Sequence, residues 1–221
     1  MAGPAEASPN WDARPPGTEI DMLVIHYTGM PTAEAALARL RDPAAKVSTH
    51  YLVHEDGAVV SLVPESERAW HAGVSYWRSN ADINARSIGI ELVNPGHEFG
   101  YRPFPEPQMA ALEKLAQGIL ERHPIPPRNV VGHSDVAPDR KEDPGELFDW
   151  RRLAAAGIGL WPRQASGDAA ALADLLRRIG YDPAADRAIA AFQRRYRPGL
   201  IDNQADDETA GLAAGLLATI G

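Results

Sequence analysis

Residues 20–27, IDMLVIHY, form an apolar, β-branched run with its polar members, Asp21 and His26, near the two ends. A short run of that kind predicts a buried strand. Residues 32–41, TAEAALARLR, carry Ala and Leu at helical spacing and predict a helix. Two apolar stretches, 50–54 and 58–63, flank Glu55-Asp56-Gly57 and predict a hairpin with an Asp-Gly turn. Residues 87–93, SIGIELV, read as a second buried strand. Residues 106–122 place Met109, Leu112, Leu115, Ile119 and Leu120 on one side of an amphipathic helix, which Pro124, Pro126 and Pro127 stop. Val130-Val131-Gly132-His133 is a short strand ending at a histidine, and 148–156 is a further short helix. Strands and helices alternate irregularly, which predicts an α/β fold with a mixed central β-sheet flanked by helices.

The pattern changes after Trp161-Pro162. Residues 163–167 read as a linker, and beyond them come Ala/Leu-rich helices at about 168–179, 184–196 and 207–219, with turn residues between them. The expected organisation is a domain over 8–162 and a small three-helix C-terminal domain over 168–221. Roughly 55 residues suffice for such a unit.

Composition narrows the classes. With no cysteine, disulfide staples, thiolate metal sites and thiol nucleophiles are excluded. A net charge of −8 argues against nucleic acid as a partner. Hydrophobic content of 44% with 24% charged residues is that of a globular chain with a real core. The N-terminus, MAGPAEASPN, has no basic segment followed by an apolar one, so a secretory leader is not expected as written. No stretch approaches the roughly 18 apolar residues of a membrane span. The expected location is cytoplasmic without integral membrane contact, with the cell envelope open if the chain is trimmed or exported without a leader.

Of the seven histidines, His26 and His133 end apolar strands, where α/β proteins open into functional loops. Asp143 follows His133 by ten residues, within reach of a returning loop. Two imidazoles and one carboxylate leave a fourth zinc position for water, the catalytic rather than the closed structural arrangement. His26 and His133 lie 107 positions apart, so spacing alone does not bring them together. Glu91 alternates against Ile90 and Leu92 and therefore projects to the side of Gly89 and Val93.

Five segments occur in one order: Val24-Ile25-His26-Tyr27-Thr28, Thr49-His50-Tyr51-Leu52-Val53, Ala69-Trp70-His71-Ala72-Gly73-Val74-Ser75, Ser87-Ile88-Gly89-Ile90-Glu91-Leu92 and Val131-Gly132-His133-Ser134-Asp135-Val136-Ala137-Pro138. Together they resemble the zinc-dependent N-acetylmuramoyl-L-alanine amidases of the peptidoglycan-recognition-protein-like fold, in the AmiD/AmpD branch. The resemblance covers about residues 8–162, including Pro9-Asn10-Trp11-Asp12-Ala13-Arg14-Pro15. It implies one zinc ion on His26, His133 and Asp143, with Glu91 and Lys141 catalytic. Glu91 would shuttle the proton between water and leaving amine, and Lys141 would stabilise the oxyanion. It further implies substrate contacts from Trp70, His71 and Ala72, with His50 and Asn84 nearby. Arg86 stands where a small polar residue is expected, and His54, His97 and His123 are expected at the surface.

The stretch Ala191-Phe192-Gln193-Arg194-Arg195-Tyr196 resembles the small three-helix peptidoglycan-binding domain. The glycine-rich turn usual after its aspartate is replaced by Asn203-Gln204-Ala205-Asp206. Wall binding and a purely structural cap are therefore both open for this segment. The implied activity is hydrolysis of the amide between N-acetylmuramic acid, or its anhydro form, and L-alanine of the stem peptide. The alternative class is a non-catalytic peptidoglycan-recognition module, which a complete ligand set disfavours. Soluble peptidoglycan fragments and the polymer both remain candidate partners.

Overall fold

The computed structural model describes residues 7–220. Residues 1–6, part of the segment read as leader-free, and Gly221, counted in the C-terminal unit, lie outside the described residues. The chain runs β1 (Trp11–Ala13), β2 (Met22–Tyr27), α1 (Ala33–Arg41), β3 (Tyr51–Val53), β4 (Val59–Ser61), β5 (Glu67–Ala69), α2 (Ile83–Arg86) and β6 (Ser87–Leu92). It continues through α3 (Gly96–Phe99), α4 (Glu106–Arg122), β7 (Val130–Gly132), α5 (His133–Val136), α6 (Trp150–Ala155), α7 (Leu172–Ile179), α8 (Ala188–Tyr196) and α9 (Asp207–Ile220).

The main sheet has the order β4-β3-β6-β2-β7. Only the β3–β4 hairpin is antiparallel, and the other three pairings are parallel, so the sheet is mixed. A separate ribbon pairs β1 with β5. The expected strands and helices appear within a few residues of their predicted ends. The additions are β1, β5, α2 and α3, each only three or four residues long and too short to show a period. His133 does not end β7. It begins α5, one position beyond the last paired residue.

The sheet's two faces are covered differently. Leu23, Ile25, Ile88, Ile90 and Leu92 face α4, which packs Met109, Leu112, Ala116 and Ile119 on them. The Gln108 amide tightens this docking by donating to the carbonyls of Val53 and Val93. On the opposite face Met22, Val24 and Val131 share one apolar core with Leu172, Leu176, Phe192, Tyr196, Ala213 and Leu216 of the C-terminal helices. Those helices thus pack directly on the sheet. Residues 163–167 lie flat on α9, where a Cβ at Gly211 would meet the Ala165 carbonyl oxygen at 2.2 Å. α1 covers Leu52 and Leu62 toward the β3–β4 edge. Thr32 caps it by accepting a hydrogen bond from the Ala35 amide. Between α1 and the loop after β7, the C-terminal ends of the parallel strands remain open.

Candidate active site

Parallel register builds the site. His26 of β2 pairs with Glu91 of β6, so both side chains leave the same rung on the same face. On the other side Ile25 pairs with Gly132, which sets His133 at the next rung, beside His26. The loop 134–143 then returns, closed by the Ser134 amide donating to the Asp143 carbonyl at 2.9 Å. Three ligand atoms converge: His26 Nδ1 and His133 Nδ1 are 2.9 Å apart. Asp143 Oδ2 lies 3.1 Å from the first and 3.0 Å from the second. All three residues are buried. Among the described residues this is the His/Asp group able to hold a metal ion.

The hydrogen bonds behind these atoms set the tautomers. His133 Nε2–H donates to the Ala72 carbonyl at 3.1 Å, which leaves Nδ1 with its lone pair. For His26 the chain is longer. Ser87 Oγ–H donates to the Ile83 carbonyl at 2.6 Å, so its oxygen accepts from His71 Nε2–H at 3.0 Å. His71 Nδ1 is then an acceptor, and His26 Nε2–H donates to it at 3.0 Å. His26 Nδ1 is therefore also a free lone pair aimed at Asp143 Oδ2. Such outer partners fix ring orientation in metal sites. Burial first, then the neighbouring His133, hold the His26 imidazole down to about 4, so it is neutral at pH 7. Burial raises the Asp143 carboxyl, but the adjacent His133 and His26 outweigh it and hold it well below the ordinary carboxylate range.

The donor set fits a metal. A tetrahedral ion with bonds of about 2.0–2.1 Å separates its ligand atoms by roughly 3.3 Å, close to the observed triangle. Beside the triangle, Glu91 Oε2 is buried without a hydrogen-bond partner. Burial and the nearby Asp143 push the Glu91 carboxyl well above the ordinary carboxylate range, against the opposing charge of Lys141. A carboxyl raised in this way by burial is of the kind found at proton-transfer sites. Lys141 lines the same cleft, which has a volume of about 590 Å³ and is bounded also by Arg39, Trp70, Phe99 and Arg140.

The remaining sequence candidates divide. Trp70 faces the cleft. His71 borders it, but both ring nitrogens are held by His26 and Ser87. In this structure its hydrogen bonds thus lie behind His26, on the chain itself. Ala72 is fully buried and contributes its carbonyl to His133 and to Arg140. Asn84 Oδ1 accepts from the amides of His71 and Ala72, which fixes that loop. His50 is fully buried, accepting from the Gly89 amide at Nδ1 and donating to the Glu67 carbonyl at Nε2. In this arrangement His50, Ala72 and Asn84 support the site from behind. Arg86 pairs with Asp21 at the far end of the strands.

Of the three histidines expected at the surface, His97 is exposed but also lines the cleft, bonded to the Tyr27 hydroxyl at 2.8 Å and Glu146 at 3.0 Å. His54 and His123 are half-buried, and His123 Nε2 bonds Glu65 at 2.8 Å. Sequence reasoning missed Ser87. The signal available was Gly89: a lone glycine inside a buried strand marks a close approach. A Cβ there would meet His71 Cγ at 2.6 Å.

The family model described as N-acetylmuramoyl-L-alanine amidase matches residues 16–146. The Escherichia coli N-acetylmuramoyl-L-alanine amidase AmiD is 42% identical over 91% of this chain and 84% of its own length. The E. coli 1,6-anhydro-N-acetylmuramyl-L-alanine amidase AmpD is 36% identical over 66% of this chain and 87% of its own. A solved complex of E. coli AmiD with the substrate anhydro-N-acetylmuramic acid-L-Ala-D-gamma-Glu-L-Lys superposes with a TM-score of 0.82 and 39% identity, covering 99% of this chain and 93% of the other. With the His26, His133 and Asp143 cluster inside the matched segment, the chain belongs to the N-acetylmuramoyl-L-alanine amidase family.

Proposed function

We propose that this protein is a zinc amidase that cleaves the bond between the lactyl carbonyl of N-acetylmuramic acid, or its anhydro form, and the L-alanine nitrogen of the stem peptide. The observation that carries this reading is the convergence of His26 Nδ1, His133 Nδ1 and Asp143 Oδ2 within 3.1 Å, next to the unpartnered buried Glu91 Oε2. Family membership supplies the reaction class.

His26, His133 and Asp143 would hold the ion, which supplies Lewis acidity and a bound water acidic enough to ionise near pH 7. Glu91 accepts a proton from the attacking water at Oε2 and passes it to the departing alanine nitrogen. Lys141 offers N–H donors to the oxygen that gains charge as the carbonyl carbon becomes tetrahedral. The buried His26 imidazole, neutral at pH 7, keeps its lone pair available without first losing a proton. Trp70 provides an apolar wall for the substrate in the cleft.

Anhydro-muropeptides are the favoured substrate class, because the AmiD complex with 39% identity holds one as its substrate. The polymer remains the second arm of the test. Among the described residues no helix is long and apolar enough to cross a membrane. Zinc-loaded protein is incubated separately with anhydro-muropeptide and with intact sacculi, and products are weighed by mass spectrometry. The expected products are the anhydro sugar and a stem peptide with a free L-alanine amine. A protein that holds zinc yet releases no peptide from either substrate would be a recognition module instead.

A further inference from the structure

The motif that resembles a wall-binding segment points inward. Phe192, Gln193, Arg194, Arg195 and Tyr196 are all buried. The Gln193 amide is spent on its own turn: it donates to Asp202 Oδ1 and the Gln204 carbonyl, and accepts from the amides of Asp202 and Asn203. Neither Gln193 nor the two arginines is presented to a polymer.

The arginines instead reach the loop that carries His133, Lys141 and Asp143. Arg195 Nη1 donates to Asp135 Oδ2 at 2.6 Å, and its Nη2 donates to the Val130 carbonyl at 3.0 Å. One guanidinium thus grips both sides of the β7–α5 corner from which His133 projects. Asp135 completes the corner by accepting from the Gly132 amide at 2.8 Å and from the Tyr181 hydroxyl at 2.6 Å. Trp150 covers the guanidinium face, its ring centroid 3.9 Å away. Arg194 Nη2 meets Glu142 Oε1 at 3.1 Å, and Glu142 stands between Lys141 and Asp143. The backbone amide of Arg187 donates to Asp139 Oδ1 at 2.8 Å. Asp135, Asp139 and Glu142 therefore each tie the loop to the C-terminal helices.

We infer that Arg194 and Arg195 are positioning residues of the metal site: through Glu142 and Asp135, the C-terminal helices hold the 133–143 loop in its ligating shape. A bidentate guanidinium between buried groups imposes orientation as well as attraction. The inference rests on the zinc amidase reading proposed above.

The test uses the full chain with four variants: Arg194→Gln, Arg195→Met, Arg195→Lys and Leu172→Ala. Leu172 is a buried core residue of α7 that makes none of these contacts, so its variant controls for simple destabilisation. Zinc affinity is measured by competition with a chromophoric chelator, and kcat and KM on anhydro-muropeptide, at a temperature where each variant is folded. Outer partners of metal ligands typically contribute about 10–100-fold in affinity or activity. Arg194→Gln and Arg195→Met are expected to lower zinc affinity and kcat by about 10-fold or more, with KM changed less than about twofold. Arg195→Lys should recover part of the loss, and Leu172→Ala should stay near the parent. If Arg195→Met does not fold, Arg194→Gln at the outer contact decides the matter alone. Variants that match a zinc-binding parent overturn the inference, as does a Leu172→Ala loss as large as theirs. A parent that binds no zinc overturns the amidase reading and this inference together.

Discussion

Replacing Gly89 by alanine adds one methyl group in a crowded place behind the site. The new Cβ would lie 2.6 Å from His71 Cγ and 2.8 Å from both Cδ2 and Nδ1. These are ring atoms near the root of the side chain, so a small swing of the imidazole does not clear them. The ring is also pinned at both nitrogens, to His26 and to Ser87. Gly89 is not in the left-handed region, so the backbone itself tolerates alanine and the whole cost falls on the collision. Overpacking of this kind costs about 1–3 kcal/mol. Losing two hydrogen bonds adds about 0.5–1.5 kcal/mol each. The expected destabilisation of the metal-free protein is therefore roughly 2–6 kcal/mol, measured by urea unfolding. Zinc affinity should fall about 10-fold or more, because His26 loses the acceptor that fixes its tautomer. His71→Ala alone should destabilise through the lost bonds and the vacated volume. When Gly89→Ala and His71→Ala are combined, the methyl group added at position 89 enters that volume. The two costs should then not add, with a coupling of about 2 kcal/mol. A Gly89→Ala cost below about 0.5 kcal/mol, or strictly additive costs, refutes this account of why a glycine sits there.

Glu91→Gln keeps the shape of the side chain but removes its basicity. It should lower kcat by about 10²–10⁴-fold while zinc binding, read by chelator competition, stays near the parent. Glu65 offers a pH test away from the site. Burial opposes its ionisation, but Arg122, His123 and Tyr51 bind the carboxylate and hold it at about 2, below its ordinary value of 4.5. Its stabilising contribution is thus fully present above about pH 4.5 and is lost as pH falls toward 2. Glu65→Gln should cost about 1–2 kcal/mol at pH 7, after allowance for the exposure of Arg122, and progressively less in acid. A cost that is constant with pH would show that the charge contributes nothing.

The strands that build the site were legible because their apolar runs are unbroken. Residues 22–27 and 87–92 stand out in any window. What made the metal group is less local. His26 and His133 are 107 positions apart, and only the parallel register β6–β2–β7 places Glu91, His26 and His133 side by side. Motif order supplied that meeting in advance, where periodicity did not. His71 shows how a residue can be found while its hydrogen-bond partners stay hidden in the sequence. A histidine in a loop beside a cleft looks like a substrate donor, and only the structure shows its one N–H donated to the Ser87 hydroxyl and its Nδ1 accepting from His26. Arg194 and Arg195 carried the strongest local resemblance of the C-terminal segment, yet their partners lie in a loop 52 and 60 residues earlier. The long-range ion pairs that decide their orientation leave no trace in local spacing.

The central claim is that one metal ion on His26, His133 and Asp143 drives amide cleavage. The most direct measurement is a titration of verified metal-free protein with zinc, following release of stem peptide from anhydro-muropeptide. The account predicts no release before zinc, a linear rise, and a break at about one zinc per chain, with the rise abolished in Asp143→Ala. Undiminished release from the metal-free protein, or none with one zinc bound, would contradict it.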